Sequence, residues 1–122
     1  MLTYLSMPFS HPDPQVVAHR METFWKAMAH WTSSGVCMVS PMALQPMLAI
    51  CPEVGQDWAA WARYSETLLQ ACAHMMVLAL PGWDASVGVQ GELALAERLN
   101  IPVVFIRPDT FELCSCRPPL GE

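Results

Sequence analysis

Positive charge is scarce in this chain. Six of its 122 residues are lysine or arginine, against eleven aspartates and glutamates, and the net charge is −5. There is no basic stripe, so binding along a nucleic-acid backbone is not expected, although local groups can still hold one phosphate. Apolar runs are short: none reaches the ~18 residues a membrane span needs, so no membrane role is expected. The basic, apolar, small-residue order of a signal peptide is missing at the N-terminus. So are a CxxC pair, repeats and low-complexity stretches. The five cysteines (Cys37, Cys51, Cys72, Cys114 and Cys116) are odd in number. They read as free thiols of a cytoplasmic protein rather than a disulfide framework. Cys114-Ser115-Cys116 lacks the histidine partner and spacing of a zinc site. Neither metal nor cofactor is expected.

The chain is 53% hydrophobic and 14% charged. It is too apolar for disorder and of a length for a single domain over 1–122 with one core. Leu2 to Met7 reads as a short buried strand. Pro8 to Pro14 holds three prolines and reads as a loop. Asp13 then looks like an N-cap with Pro14 at the first helical position. Val17, Met21, Phe24, Met28 and Trp31 keep helical spacing, which predicts a helix over Pro14 to Ser33, ended by Gly35. Val36 to Ser40 reads as a second strand and Pro41 to Gln56 as a long loop, a kind often functional. Asp57 caps a predicted helix to about Cys72. His74 to Leu80 has the unbroken apolar character of a parallel strand buried on both faces. A helix over Val89 to Leu99, a strand over Pro102 to Ile106 and an irregular tail over 107–122 complete the reading. Alternating strands and helices predict a doubly wound, flavodoxin-like or Rossmann-like parallel sheet of four to five strands, with helices on both faces. Ligands bind such sheets beyond the carboxyl ends of the strands. Three loops converge there: Pro8 to Asp13, Pro41 to Gln56, and Pro81 to Gly88.

The most informative stretch is Ser86-Val87-Gly88-Val89-Gln90-Gly91-Glu92. A hydroxyl and a glycine stand where a helix opens, and a carboxylate follows in its first turns. Helix N-termini present unpaired N–H groups and partial positive charge, and so attract phosphate. The carboxylate suits a nucleophile aimed at the anomeric carbon of a sugar.

Three blocks resemble the nucleoside 2-deoxyribosyltransferase superfamily, which includes nucleoside 5′-monophosphate N-glycosidases. They are Thr3-Tyr4-Leu5-Ser6-Met7-Pro8-Phe9-Ser10; Val39-Ser40-Pro41; and Leu80-Pro81-Gly82-Trp83 running through Ser86 to Glu92 and on to Asn100-Ile101-Pro102-Val103. The Pro-Gly-Trp turn and the length are most similar to a small bacterial branch. The resemblance implies that Glu92 is the catalytic glutamate, that Tyr4 orients it, and that Ser86, with Gly88, holds a 5′-phosphate or the sugar's 5′ end. It also implies base or sugar contacts from Pro8, Phe9 and Ser10. Two family acidic positions are altered: Ser65 stands where an aspartate assists the leaving base, and Ala73 stands before the third strand. A hydroxyl cannot act as general acid at neutral pH, so Asp84 becomes the candidate acid.

The expected function is N-glycosidic cleavage or transfer on a nucleotide or nucleoside. One glutamate serves both, by forming a glycosyl-enzyme that water or a second base resolves. The plainer readings are a helix charge for Glu92, an N-cap for Ser86 and Asp57, core packing for Tyr4, and core or interface for Trp58 and Trp61. The rivals are a nucleotide sensor without turnover and a structural oligomeric domain. Nine methionines and five tryptophans exceed one small core, which predicts a homodimer or higher homo-oligomer.

Overall fold

Four parallel strands in the order β2-β1-β3-β4 form the sheet in the computed structural model, which describes residues 1–114. They are β1 (Leu2–Ser6), β2 (Cys37–Val39), β3 (Cys72–Leu78) and β4 (Val103–Ile106). The helices are α1 (Pro14–Ser33), α2 (Gln45–Ile50), α3 (Trp58–Gln70) and α4 (Val87–Arg98). This is the expected doubly wound α/β fold.

The period of two along a strand divides the core between the two faces of the sheet. Tyr4, Met75, Val77 and Phe105 pack with Leu69 of α3 and with Val89 and Ala96 of α4. Leu5, Met76, Leu78 and Ile106 pack with Phe24 and Ala27 of α1. The strand order reverses between β1 and β3. Their carboxyl ends therefore bound the crevice where doubly wound sheets bind ligands.

Helix α1 has the expected limits. Asp13 Oδ1 accepts the Gln15 amide at 2.9 Å, and Pro14 opens the first turn. Limits of three other elements differ from the sequence reading. Val36 donates to Trp31 O at 3.0 Å and so closes α1, while Ser40 Oγ accepts the Met42 amide at 3.2 Å; both leave β2, which shrinks to Cys37–Val39. β3 starts at Cys72 and ends at Leu78, where Leu80 donates back to Leu78 O at 2.8 Å in a tight turn. α4 starts at Val87, capped by Ser86.

The largest correction concerns Pro41 to Gln56, which is not a loop. It holds a 3₁₀ turn at Pro41–Leu44, helix α2, and a second 3₁₀ turn at Pro52–Val54. Each proline lies in a first helical turn, where its missing N–H would have had no partner. Past β4 the chain folds back, and Ile106 and Leu113 form an isolated antiparallel bridge. Of the thiol pair, Cys114 is half-buried and Cys116 lies outside the described residues.

Candidate active site

The buried face of α4 carries Val89, Glu92 and Ala96, so a carboxylate occupies a core position. Glu92 lies in the second turn, not the first, and is only 8% exposed. The reading of a solvated helix charge therefore falls. Two hydroxyls of β1 hold it. Tyr4 donates its phenol proton to Oε2, and Ser6 Oγ donates to Oε1 at 2.6 Å. Tyr4 and Ser6 are two residues apart, so the pleat of the strand aims both at one group.

Burial pushes the Glu92 carboxyl up to about 7, against the two hydrogen bonds, which favour its ionised form. Tyr4 is held far above its ordinary value, first by burial and then by the charge and hydrogen bond of Glu92, while the Ser65 hydroxyl acts on it in the opposite sense. The phenol thus stays protonated and donates.

Glu92 forms the floor of a cavity of about 430 Å³, a size typical of small-molecule sites. Of the residues expected at the site, Phe9, Ser10, Ser65, Ser86, Gly88 and Glu92 line it. Tyr4 stands behind Glu92. Pro8 is buried beneath its loop, and Asp84 is not among the lining residues. Asp84 belongs to the 3₁₀ turn Trp83–Ala85, whose Trp83 enters the core, and this carries Asp84 off the cavity wall. Ser86 Oγ accepts the Val89 amide at 3.2 Å, and its proton remains available for a ligand beside the first amides of α4.

Other groups were missed in the sequence or given a plainer role. Ser6 is one; its place two residues from Tyr4 was the available signal. Trp58 and Trp61, read as core or interface, line the cavity, as do Met42, Gln45, Gln56 and Asp57. Asp57 also caps α3, accepting the Ala60 amide at 2.9 Å.

Arg20 is the third kind of omission. It is 7% exposed, and its guanidinium donates to Ser10 O at 3.1 Å, Phe9 O at 3.4 Å and Pro81 O at 2.9 Å. It thereby ties the loop after β1 to the loop after β3, across the crevice. A charged residue four positions before Phe24, in the buried stripe of α1, was the sign to read.

The close approach of α3 to α4 depends on Gly91. A Cβ there would fall 2.4 Å from Cε2 and Cζ2 of Trp58. Alanine raises helix propensity by up to ~1 kcal/mol, but a rigid indole cannot yield as a flexible chain would, and overpacking costs about 1–3 kcal/mol. Gly91→Ala is therefore expected to lower the melting temperature and shift the tryptophan emission. A higher melting temperature with unchanged emission would refute this packing.

Among the described residues no three His, Cys, Asp or Glu side chains gather to hold a metal ion, and no helix is long and apolar enough to cross a membrane. The sequence model of one family, described as Domain of unknown function (DUF1937), matches residues 1–107. The chain belongs to the DUF1937 family. The match covers all four strands and α1 to α4, and so every residue of the cavity. No curated protein matches this DUF1937 chain.

Proposed function

We propose that this protein cleaves or transfers the N-glycosidic bond of a nucleoside 5′-monophosphate or nucleoside, with Glu92 as nucleophile. The observation that carries the reading is a buried carboxyl on two hydroxyls at the floor of a cavity beside a helix N-terminus. The similarity of the three sequence blocks to the nucleoside 2-deoxyribosyltransferase superfamily supports it.

In this scheme the ionised carboxylate of Glu92 bonds to the anomeric carbon as the carbon–nitrogen bond breaks. The bonding electrons leave with the base, which takes a proton from water. A second water, or an N–H of an incoming base, attacks the same carbon, frees Glu92 and yields its proton to the hydroxide left by the first water. Tyr4 and Ser6 keep the carboxylate oriented. Ser86, Gly88 and the first amides of α4 receive the 5′-phosphate. With Ser65 at the family acid position and Asp84 off the cavity, neither expected position supplies an acid to the leaving base, and turnover is slow. Ser65 also favours a second reading, a nucleotide sensor without turnover: it is 2% exposed and its hydroxyl acts on Tyr4.

Base release, followed by chromatography over nucleosides and 5′-monophosphates, separates the two. Release by the native chain and not by Glu92→Gln supports the enzyme. Binding without release supports the sensor.

We place the protein in the cytoplasm, where nucleotides turn over and the free thiols Cys37, Cys51, Cys72 and Cys114 stay reduced. We propose a homodimer or higher oligomer, in keeping with exposed Trp25, Met47, Ile50, Val54 and Val87. Light scattering giving a monomer mass at working concentration would remove that part of the proposal.

A further inference from the structure

The mouth of the cavity carries groups that chemistry at Glu92 does not use. Asp57, Trp58 and Trp61 line it together at the start of α3. Apart from Glu92, Asp57 is the only titratable side chain on the wall among the described residues. Both indoles are fixed. Trp61 Nε1 donates to Gly55 O at 2.9 Å and its ring stands edge-on to Tyr64, while Trp58 lies against Gly91. That last contact joins the start of α3, where Asp57 stands, to α4 one residue before Glu92. Depth then orders the groups. Glu92 and Ser65 are buried, the two indoles are half-buried, and Asp57 is exposed. In the nucleotide reading, the base of a sugar held over Glu92 lies toward the mouth, whose wall includes the indoles and Asp57.

Fixed indole faces accept any planar ring, because every base has a π-face. A carboxylate is more selective, since it only accepts hydrogen bonds. One oxygen of Asp57 is occupied by the Ala60 amide, which leaves the other for a single N–H. Adenine and cytosine present an exocyclic amine. Hypoxanthine and uracil put a carbonyl oxygen in the same place, and its lone pairs repel a carboxylate. Resting on the nucleotide reading above, we infer that Asp57 selects amino-bearing bases over their oxo counterparts, while Trp58 and Trp61 hold the ring.

The test is calorimetric titration of the full chain with the 5′-monophosphates of adenosine, inosine, cytidine and uridine, in ribose and 2′-deoxyribose forms. Base release is read on the same samples, and Asp57→Asn is run in parallel. Asparagine still caps α3, so the variant folds, and its amide can donate to a carbonyl. The native chain is expected to bind each amino compound about tenfold or more tightly than its oxo partner, and Asp57→Asn to erase or reverse that preference. Equal affinities within each pair, with nucleotides still bound, overturn the inference and leave the nucleotide site standing. No binding by any of them overturns both. Selective binding without base release keeps the inference and removes the glycosidase reading.

Discussion

Glu92→Gln is expected to abolish base release, by about 10³-fold or more, and to make the protein more stable above neutral pH. Both effects come from one group. The carboxyl is pushed up to about 7 by burial, from an ordinary value of 4.5. Between those two values the folded chain binds a proton that the unfolded chain has released. Stability is therefore fully present below about 4.5 and is lost as pH rises through about 7. The shift corresponds to a loss on the order of 3 kcal/mol by mild alkali.

Glutamine cannot ionise, yet it fits the same space, accepts one hydroxyl proton and donates to the other hydroxyl. Its melting temperature should match the native value near pH 5 and exceed it by several degrees at pH 8. Base release by the native chain should rise with pH and level off above about 7, because only the ionised carboxylate attacks. A glutamine variant no more stable at pH 8 than the native chain would show that Glu92 is ionised without cost, and the account of its burial would fall.

Arg20→Leu carries the second large effect, on stability. The guanidinium is buried, and burial pulls its pKa down, yet it donates to three backbone carbonyls from two loops. Removing it leaves those carbonyls short of donors, at a cost of about 1–3 kcal/mol for each buried group so stranded. A loss of about 3 kcal/mol or more in urea denaturation is expected, together with faster proteolysis of the loops after β1 and β3. Arg20→Lys should recover little, because a compact ammonium on a flexible stem cannot span a fork of three acceptors. Gly82 belongs to the same clamp. Its φ is +93°, and a Cβ there would meet Arg20 Nη2 at 2.9 Å. Denaturation of Arg20→Leu at the native urea midpoint would show that the two loops hold without the clamp.

The sheet was legible because β1 and β3 repeat a two-sided apolar pattern and α1 keeps its spacing through twenty residues. Element ends were less so. They are set by groups that serve one element or its neighbour, such as Ser40, which caps a turn rather than extending β2. Pro41, Pro46 and Pro52 were misread because a proline that starts a helical turn has the same letter as one that breaks a chain. Glu92, Ser86 and the loop at Phe9 and Ser10 were within reach because they lie in short contiguous blocks. Ser6 and Arg20 were not, since what each does is decided by a partner far away in sequence. Ser6 meets Glu92 across 86 positions and Arg20 meets Pro81 across 61.

β1 ties the formation of the candidate site to the folding of the sheet. It is a central strand, paired to β2 at Tyr4↔Val39 and to β3 at Ser6↔Val77. Slipping it by one residue would send Tyr4 and Ser6 into the core beneath α1 and turn Leu5 and Met7 toward Glu92. The site therefore has no separate existence in a partly ordered chain. It forms when the long-range pairing of the sheet locks its register, and such pairing is slow to form because distant segments must first meet. During refolding, nucleotide binding should return with the last global phase, in step with the fluorescence of the buried tryptophan Trp83, and never ahead of it.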